Sequence, residues 1–143
     1  MLALAGLALA AADPVSATPG RWTSVDAASR VVRDYYAAVS RHDYRSAYAL
    51  WHGRQSYRQF RRGYAQTLRA TVTPIPPFES EGAAGSVYAE IKVRVDAVLR
   101  SGRRQHFVGS YTLRRVNDIP GSTAEQRRWH IESAHLSPAP AGR

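Results

Sequence analysis

The chain has 143 residues, no cysteine and a formal net charge of +9, from 20 basic and 11 acidic side chains. That length fits one domain able to bury a core without crosslinks. The missing cysteines exclude disulfide frameworks, thiolate nucleophiles, thiol-ligated zinc and acylated lipoprotein anchors.

Leu2 to Ala12 is an apolar run too short to span a bilayer, which takes about twenty residues. With Val15-Ser16-Ala17 as a small-residue cleavage pattern, residues 1–17 read as a secretory signal-like segment, although a basic stretch ahead of the apolar run is missing. The competing reading is a buried N-terminal helix, since the segment has no polar face. Export is therefore the expectation, periplasmic or extracellular, with a mature chain beginning near Thr18 and opening on a linker over 18–22. Every basic residue except Lys92 is an arginine. A strongly basic exported protein would be drawn to anionic envelope components such as lipid head groups, cell-wall polymers or acidic proteins. Nucleic acid is disfavoured as a partner by that compartment.

One domain is expected over 23–137. Thr23 or Ser24 can cap a first helix with Asp26 in its first turn, and Val25, Ala28, Val32, Tyr36 and Val39 recur at helical spacing, flanked by Tyr35. Asp43 caps a short second helix whose Tyr44, Ala47, Tyr48 and Trp51 share a face, and Gly53 closes it. Ser56 and Gln59 form a capping box for a third helix, with Tyr57, Phe60, Tyr64 and Leu68 as its buried stripe. Arg58, Arg62 and Arg69 project on the opposite side with Arg61 at the flank, giving a basic ridge.

Ala70 to Ile75 alternates briefly and meets Pro74, Pro76 and Pro77, so it reads as an edge strand or one that stops there. Glu79 to Gly85 reads as a polar turn. From Val87 to Leu99 every odd position is apolar or small, while Glu90, Lys92, Arg94 and Asp96 take even positions. After Ser101-Gly102, Phe107, Gly109, Tyr111 and Leu113 alternate in a returning strand, which makes Ser86 to Val116 a hairpin. Asn117 to Gln126 is an exposed loop. A last strand from about Arg128 to Leu136 puts Trp129, Ile131, Ser133 and His135 on one face and His130, Glu132 and Ala134 on the other. Residues 138–143 form a loose tail.

Three helices followed by a long antiparallel sheet resemble the nuclear transport factor 2-like superfamily, the α+β cone shared with polyketide cyclases and ketosteroid isomerases. The residues that carry the resemblance are Val32 to Val39, Asp43 to Trp51, Ser56 to Phe60, Gly109 to Arg115 and Trp129 to Ile131, and it covers roughly Thr23 to Leu136. It extends to small exported bacterial members without assigned activity. The resemblance implies three N-terminal helices packed on a curved antiparallel sheet of about four strands, with the space between able to become a ligand pocket. Tyr36, Trp51, Phe60, Tyr64, Tyr111 and Trp129 would line it, or would simply fill the cone as core.

Proton-moving enzymes of this superfamily need a carboxylate or histidine aimed into the cone. Glu90 and Asp96 point out of it by parity, Asp34 and Asp43 sit off the buried stripe or at a cap, and His42, His52, His106 and His130 read as exposed. His135 is the one inward candidate, placed at the rim of the pocket. No catalytic residue, metal ligand or cofactor is assigned. The reading is a non-catalytic domain that binds a small apolar ligand, or an anionic envelope partner through the ridge of Arg58, Arg61, Arg62 and Arg69. The alternatives are an isomerase, cyclase or hydrolase using His135 with a pocket tyrosine, and a structural module that forms a homodimer through the sheet.

Overall fold

The computed structural model describes residues 24–53 and 55–140. The signal-like segment, the linker, Arg54 and the last three residues of the tail lie outside them. Three helices precede four strands: α1 (Val25–Ser40), α2 (Tyr44–Ala49), α3 (Tyr57–Gly63), β1 (Thr67–Ala83), β2 (Ser86–Leu99), β3 (Arg104–Val116) and β4 (His130–Pro138). The strands form one antiparallel sheet in sequential order, and the expected α+β arrangement of helices packed on a sheet is borne out.

Ser24 caps α1 by accepting from the Ala27 N–H at 3.2 Å. The helix buries Ala28, Val32, Tyr35, Tyr36, Ala38 and Val39, a stripe broad enough to take in both adjacent tyrosines. It ends in a Schellman turn: His42 adopts the left-handed conformation (φ 61°), and the N–H groups of His42 and Asp43 donate to the carbonyls of Val39 and Ala38. Glycine usually occupies that position. His42 holds it with its ring Nε2 2.8 Å from the Leu68 carbonyl. Asp43 then caps α2 by accepting from the Ser46 N–H, so one turn closes a helix and opens the next.

The capping box of Ser56 and Gln59 opens α3 as expected. The helix is shorter than its apolar stripe predicted: it stops at Gly63, a poor helix former. Leu68 and Arg69 instead begin β1, where Arg69 pairs with Val98. The β-branched run Thr71-Val72-Thr73 favours that extended pairing over further helix.

β1 extends for 17 residues, well past the prolines. Pro76, Pro77 and Phe78 lie in an irregularity between Ile75 and Glu79, where the register against β2 shifts. An edge strand tolerates proline because it has a free side. Glu79–Ala83 pairs with Ser86–Glu90, so the polar turn expected over 79–85 is strand apart from a two-residue loop that Gly85 closes at φ 77°. The polar composition of this stretch reflects exposure on both faces, which hides a strand from any alternation test.

The β2–β3 hairpin has the predicted parity. Ala89, Ile91, Val93, Val95 and Ala97 of β2 and Tyr111 and Leu113 of β3 join the core, while Glu90, Lys92 and Arg94 are exposed. In β4 the parity fails. Thr112 pairs with Ser133, but Leu113 pairs with Ile131, leaving Glu132 as an extra residue. Such a bulge switches the face of everything beyond it. Ala134 and Leu136 therefore pack on the core, and His135 is exposed on the outer face.

Candidate functional site

The helices and the inner sheet face leave a half-open cavity of about 420 Å³. Its walls come from α1 (Tyr35, Tyr36), α3 (Phe60), Tyr64 just beyond it, the inner faces of β2 (Val95, Ala97) and β3 (Phe107, Tyr111), and Trp51. Trp51 follows α2 in a segment tied to the start of β4, where the Ile131 N–H donates to the Leu50 carbonyl and the His52 N–H donates to the Ile131 carbonyl, both at 2.7 Å. Those two bonds fix the indole against the edge of the sheet. Gln55, Thr67 and Gln105 supply further polar groups.

Five of the seven residues expected in the lining are there: Tyr36, Trp51, Phe60, Tyr64 and Tyr111. Two are elsewhere. Trp129 is buried, but its Nε1 donates to the Ser24 carbonyl at 3.1 Å and its ring lies under the Arg115 guanidinium at 5.4 Å, so it anchors the start of α1. His135 is turned outward by the Glu132 bulge. That removes the acid–base pair expected from His135 and a pocket tyrosine. Tyr35, Phe107 and Leu136 were not anticipated as lining. Tyr35 looked like the flank of the α1 stripe, and Leu136 became inward-facing only through the bulge.

Besides Gln55, Thr67 and Gln105, the polar groups of the cavity are four phenols and one indole. The Tyr36 and Tyr111 hydroxyls are 2.5 Å apart, as are those of Tyr35 and Tyr64. Each pair shares its hydrogen bond with either oxygen able to donate. Burial, the largest influence, pushes all four phenols above their ordinary value, and in Tyr35 and Tyr111 the neighbouring phenols add to it. The Tyr64 ring is only half-buried, but its hydroxyl is the buried end, held against Tyr35. The Trp51 Nε1 is buried and makes no hydrogen bond of good geometry. Its approach to the Tyr35 oxygen is a minor influence that opposes the rise there. An indole N–H only donates, and leaving a buried one with a poorly formed bond forfeits part of the about 1–3 kcal/mol that a buried donor with no partner costs.

Among the described residues this lining holds no carboxylate, histidine, lysine or arginine. It can offer hydrogen bonds to a neutral molecule but has no group poised to take a proton. Titratable side chains gather instead behind Trp51, in a second cavity of about 460 Å³ lined by His52, His130, Glu125, Glu132, Arg114 and Arg115 among others. There His52 Nδ1 is 3.1 Å from Glu132 and His130 Nε2 is 2.7 Å from Glu125. Each histidine is already satisfied by a carboxylate.

The basic ridge is also rearranged. Arg58, Arg61 and Arg62 remain together on α3, whereas Arg69 leaves with β1 and Arg100, from the end of β2, joins them. The outer sheet face keeps its mixed charge, with Asp96 accepting from His106 Nδ1 at 2.6 Å. No helix among the described residues is long and apolar enough to cross a membrane.

Helices on one face of a sequentially ordered antiparallel sheet, enclosing an aromatic cavity, define the nuclear transport factor 2-like class of fold. Among solved structures the chain is similar to one described as a nuclear transport factor 2 (NTF2-like) superfamily protein from Salmonella enterica subsp. enterica serovar Typhimurium str. LT2, with a TM-score of 0.53 and 17% identity over 83% of this chain and 96% of that one. No protein-family model matches the chain, and no curated protein does.

Proposed function

We propose that the protein is an exported, non-catalytic binding domain whose cone takes a small neutral ligand, apolar over most of its surface and carrying one acceptor oxygen. The observation that carries this reading is the Trp51 Nε1, a buried donor without a well-formed partner in the wall of a cavity lined mainly by aromatic and apolar side chains. The nitrogen is shielded from solvent, so a ligand carbonyl or ether oxygen would satisfy it once a small turn of the indole brings the N–H to the cavity. The cavity volume of about 420 Å³ lies within the range of small-molecule pockets, about 300–1,000 Å³. The four neutral phenols add sites that can donate or accept without introducing charge. Export draws its support from the signal-like segment over 1–17. The isomerase, cyclase or hydrolase reading has less behind it, because His135 faces away and the described lining contributes no base.

The test is calorimetric binding of methyl naphthyl ketone beside its hydrocarbon isostere isopropenylnaphthalene. The ketone is expected to bind about tenfold more tightly, the worth of one hydrogen bond to a buried donor. Trp51→Phe should bring the two ligands to equal affinity. Equal binding of the pair by the unaltered protein, or binding of neither, contradicts the reading.

A further inference from the structure

We infer that Arg58, Arg61, Arg62 and Arg100 form a second binding site, separate from the cone, for a multiply charged phosphoryl group. The four guanidinium-bearing residues line one cleft of about 390 Å³ with Tyr44 and Ala65, and no carboxylate shares its wall.

Helix stability explains only part of the cluster: Arg61 and Arg62 lie in the last turn of α3, where a helix favours positive charge, but the other placements run against it. Arg58 lies in the first turn of α3, the end where a helix disfavours positive charge. Arg61 and Arg62 stand three and four positions on, the spacings at which like charges on a helix repel. None of the three makes an ion pair among the described residues. Arg100 is then brought to the same cleft from the far end of β2, where its Nε donates to the Ala65 carbonyl at 2.9 Å. That bond uses one of its five N–H donors and leaves the outer edge of the guanidinium available. Two acidic residues near the cluster in sequence are occupied: Asp96 accepts from His106 Nδ1 at 2.6 Å, and Asp43 caps α2, accepts from the Ser46 hydroxyl and pairs with Arg41 at 3.7 Å.

A concentration of unneutralised forks matches an anion with several ionised oxygens better than a single carboxylate, since each guanidinium can present two parallel N–H donors to a phosphoryl edge. Tyr44, whose ring stacks at 6.3 Å on that of Tyr64, places the cleft on the other side of the cone wall. Occupancy of one site therefore does not require the other.

The probe is pyrophosphate, titrated calorimetrically at constant ionic strength with sulfate as the competing dianion. Saturable one-to-one binding is expected. It should fall about tenfold for each guanidinium removed in Arg58→Gln and Arg62→Gln and stay unchanged in Arg69→Gln, whose side chain lies on β1. Arg58→Gln alone should also melt at a higher temperature than the unaltered protein when no anion is present, because it removes a positive charge from the first turn of α3 and its repulsion with Arg61 and Arg62. Sedimentation with phosphatidylglycerol vesicles forms a second arm. Vesicle binding lost in the double variant, with weak pyrophosphate binding, would assign the phosphoryl group to a lipid surface; the reverse would assign it to a free phosphate compound. The inference is overturned if sulfate competes on equal terms, or if the double variant binds both probes as the unaltered protein does.

Discussion

Raising the pH tests whether the four phenols are buried as described. Tyr35, Tyr36 and Tyr111 are held far above the ordinary phenol value of 10.0 by burial, and Tyr64 is raised in the same direction. A group whose pKa is higher in the folded state contributes stability that is complete below the unfolded value and is lost as pH climbs past it. Below about pH 9 the phenols are neutral in both states, and stability should be level with respect to them. At pH 11 the unfolded chain gains about 1.4 kcal/mol from each phenol that ionises there but not in the fold. Tyr35, Tyr36 and Tyr111 together then cost about 4 kcal/mol, a large part of the roughly 5–15 kcal/mol that a domain of this size has in total. Urea denaturation at a series of pH values should show this fall, and Tyr111→Phe should reduce it by about a third, because one of the three phenols is gone. In the folded protein the phenolate absorbance of these residues should appear only together with unfolding. A gradual, non-cooperative phenolate signal from all eight tyrosines with stability unchanged to pH 11 would refute the burial argument and the neutral, donor-rich cavity that rests on it.

Further variants probe the walls of the cone. Tyr36→Phe and Tyr111→Phe should each cost about 1–3 kcal/mol, because either leaves the partner hydroxyl unpaired in a buried place, and the double variant should cost less than the two singles together; strict additivity in urea denaturation would show that the 2.5 Å pair is not coupled. Gly109→Ala should destabilise by at least about 2 kcal/mol and weaken hydrogen-exchange protection along β4, since a Cβ there would come within 1.8 Å of the His135 carbonyl oxygen, a backbone atom that cannot swing aside. A variant within experimental error of the unaltered protein would mean that β3 and β4 approach differently.

Much of the fold was legible because its central elements obey simple periods. The alternation from Val87 to Leu99 sets which residues face the helices, and the caps at Ser24, Asp43 and Ser56 mark three helix starts. What stayed hidden has local physical causes. The β1 extension over Glu79–Ala83 is exposed on both faces and so shows no alternation, and the α3 stripe ran on in sequence through Leu68 after Gly63 had ended the helix. The Glu132 bulge matters most for function, because one inserted residue exchanged His135 for Leu136 in the cone and took the histidine out of reach. Nothing in Ile131-Glu132-Ser133 signals such an insertion; it becomes visible only once the register against Leu113 and Thr112 is known. Arg100 joined the basic cluster for a similar reason, since only tertiary pairing brings the end of β2 beside α3.

The central claim, a ligand oxygen received by the Trp51 indole, can be read directly from that N–H. The chain contains three tryptophans, and the Trp51 signal in a nitrogen–proton correlation spectrum is assigned by its loss in Trp51→Phe. Adding methyl naphthyl ketone should move that resonance downfield as a hydrogen bond forms, while isopropenylnaphthalene should leave it without a downfield shift. The Trp129 N–H, already donating to Ser24, should stay in place with both. A Trp51 signal indifferent to the ketone, or one that responds alike to ketone and hydrocarbon, would contradict the account.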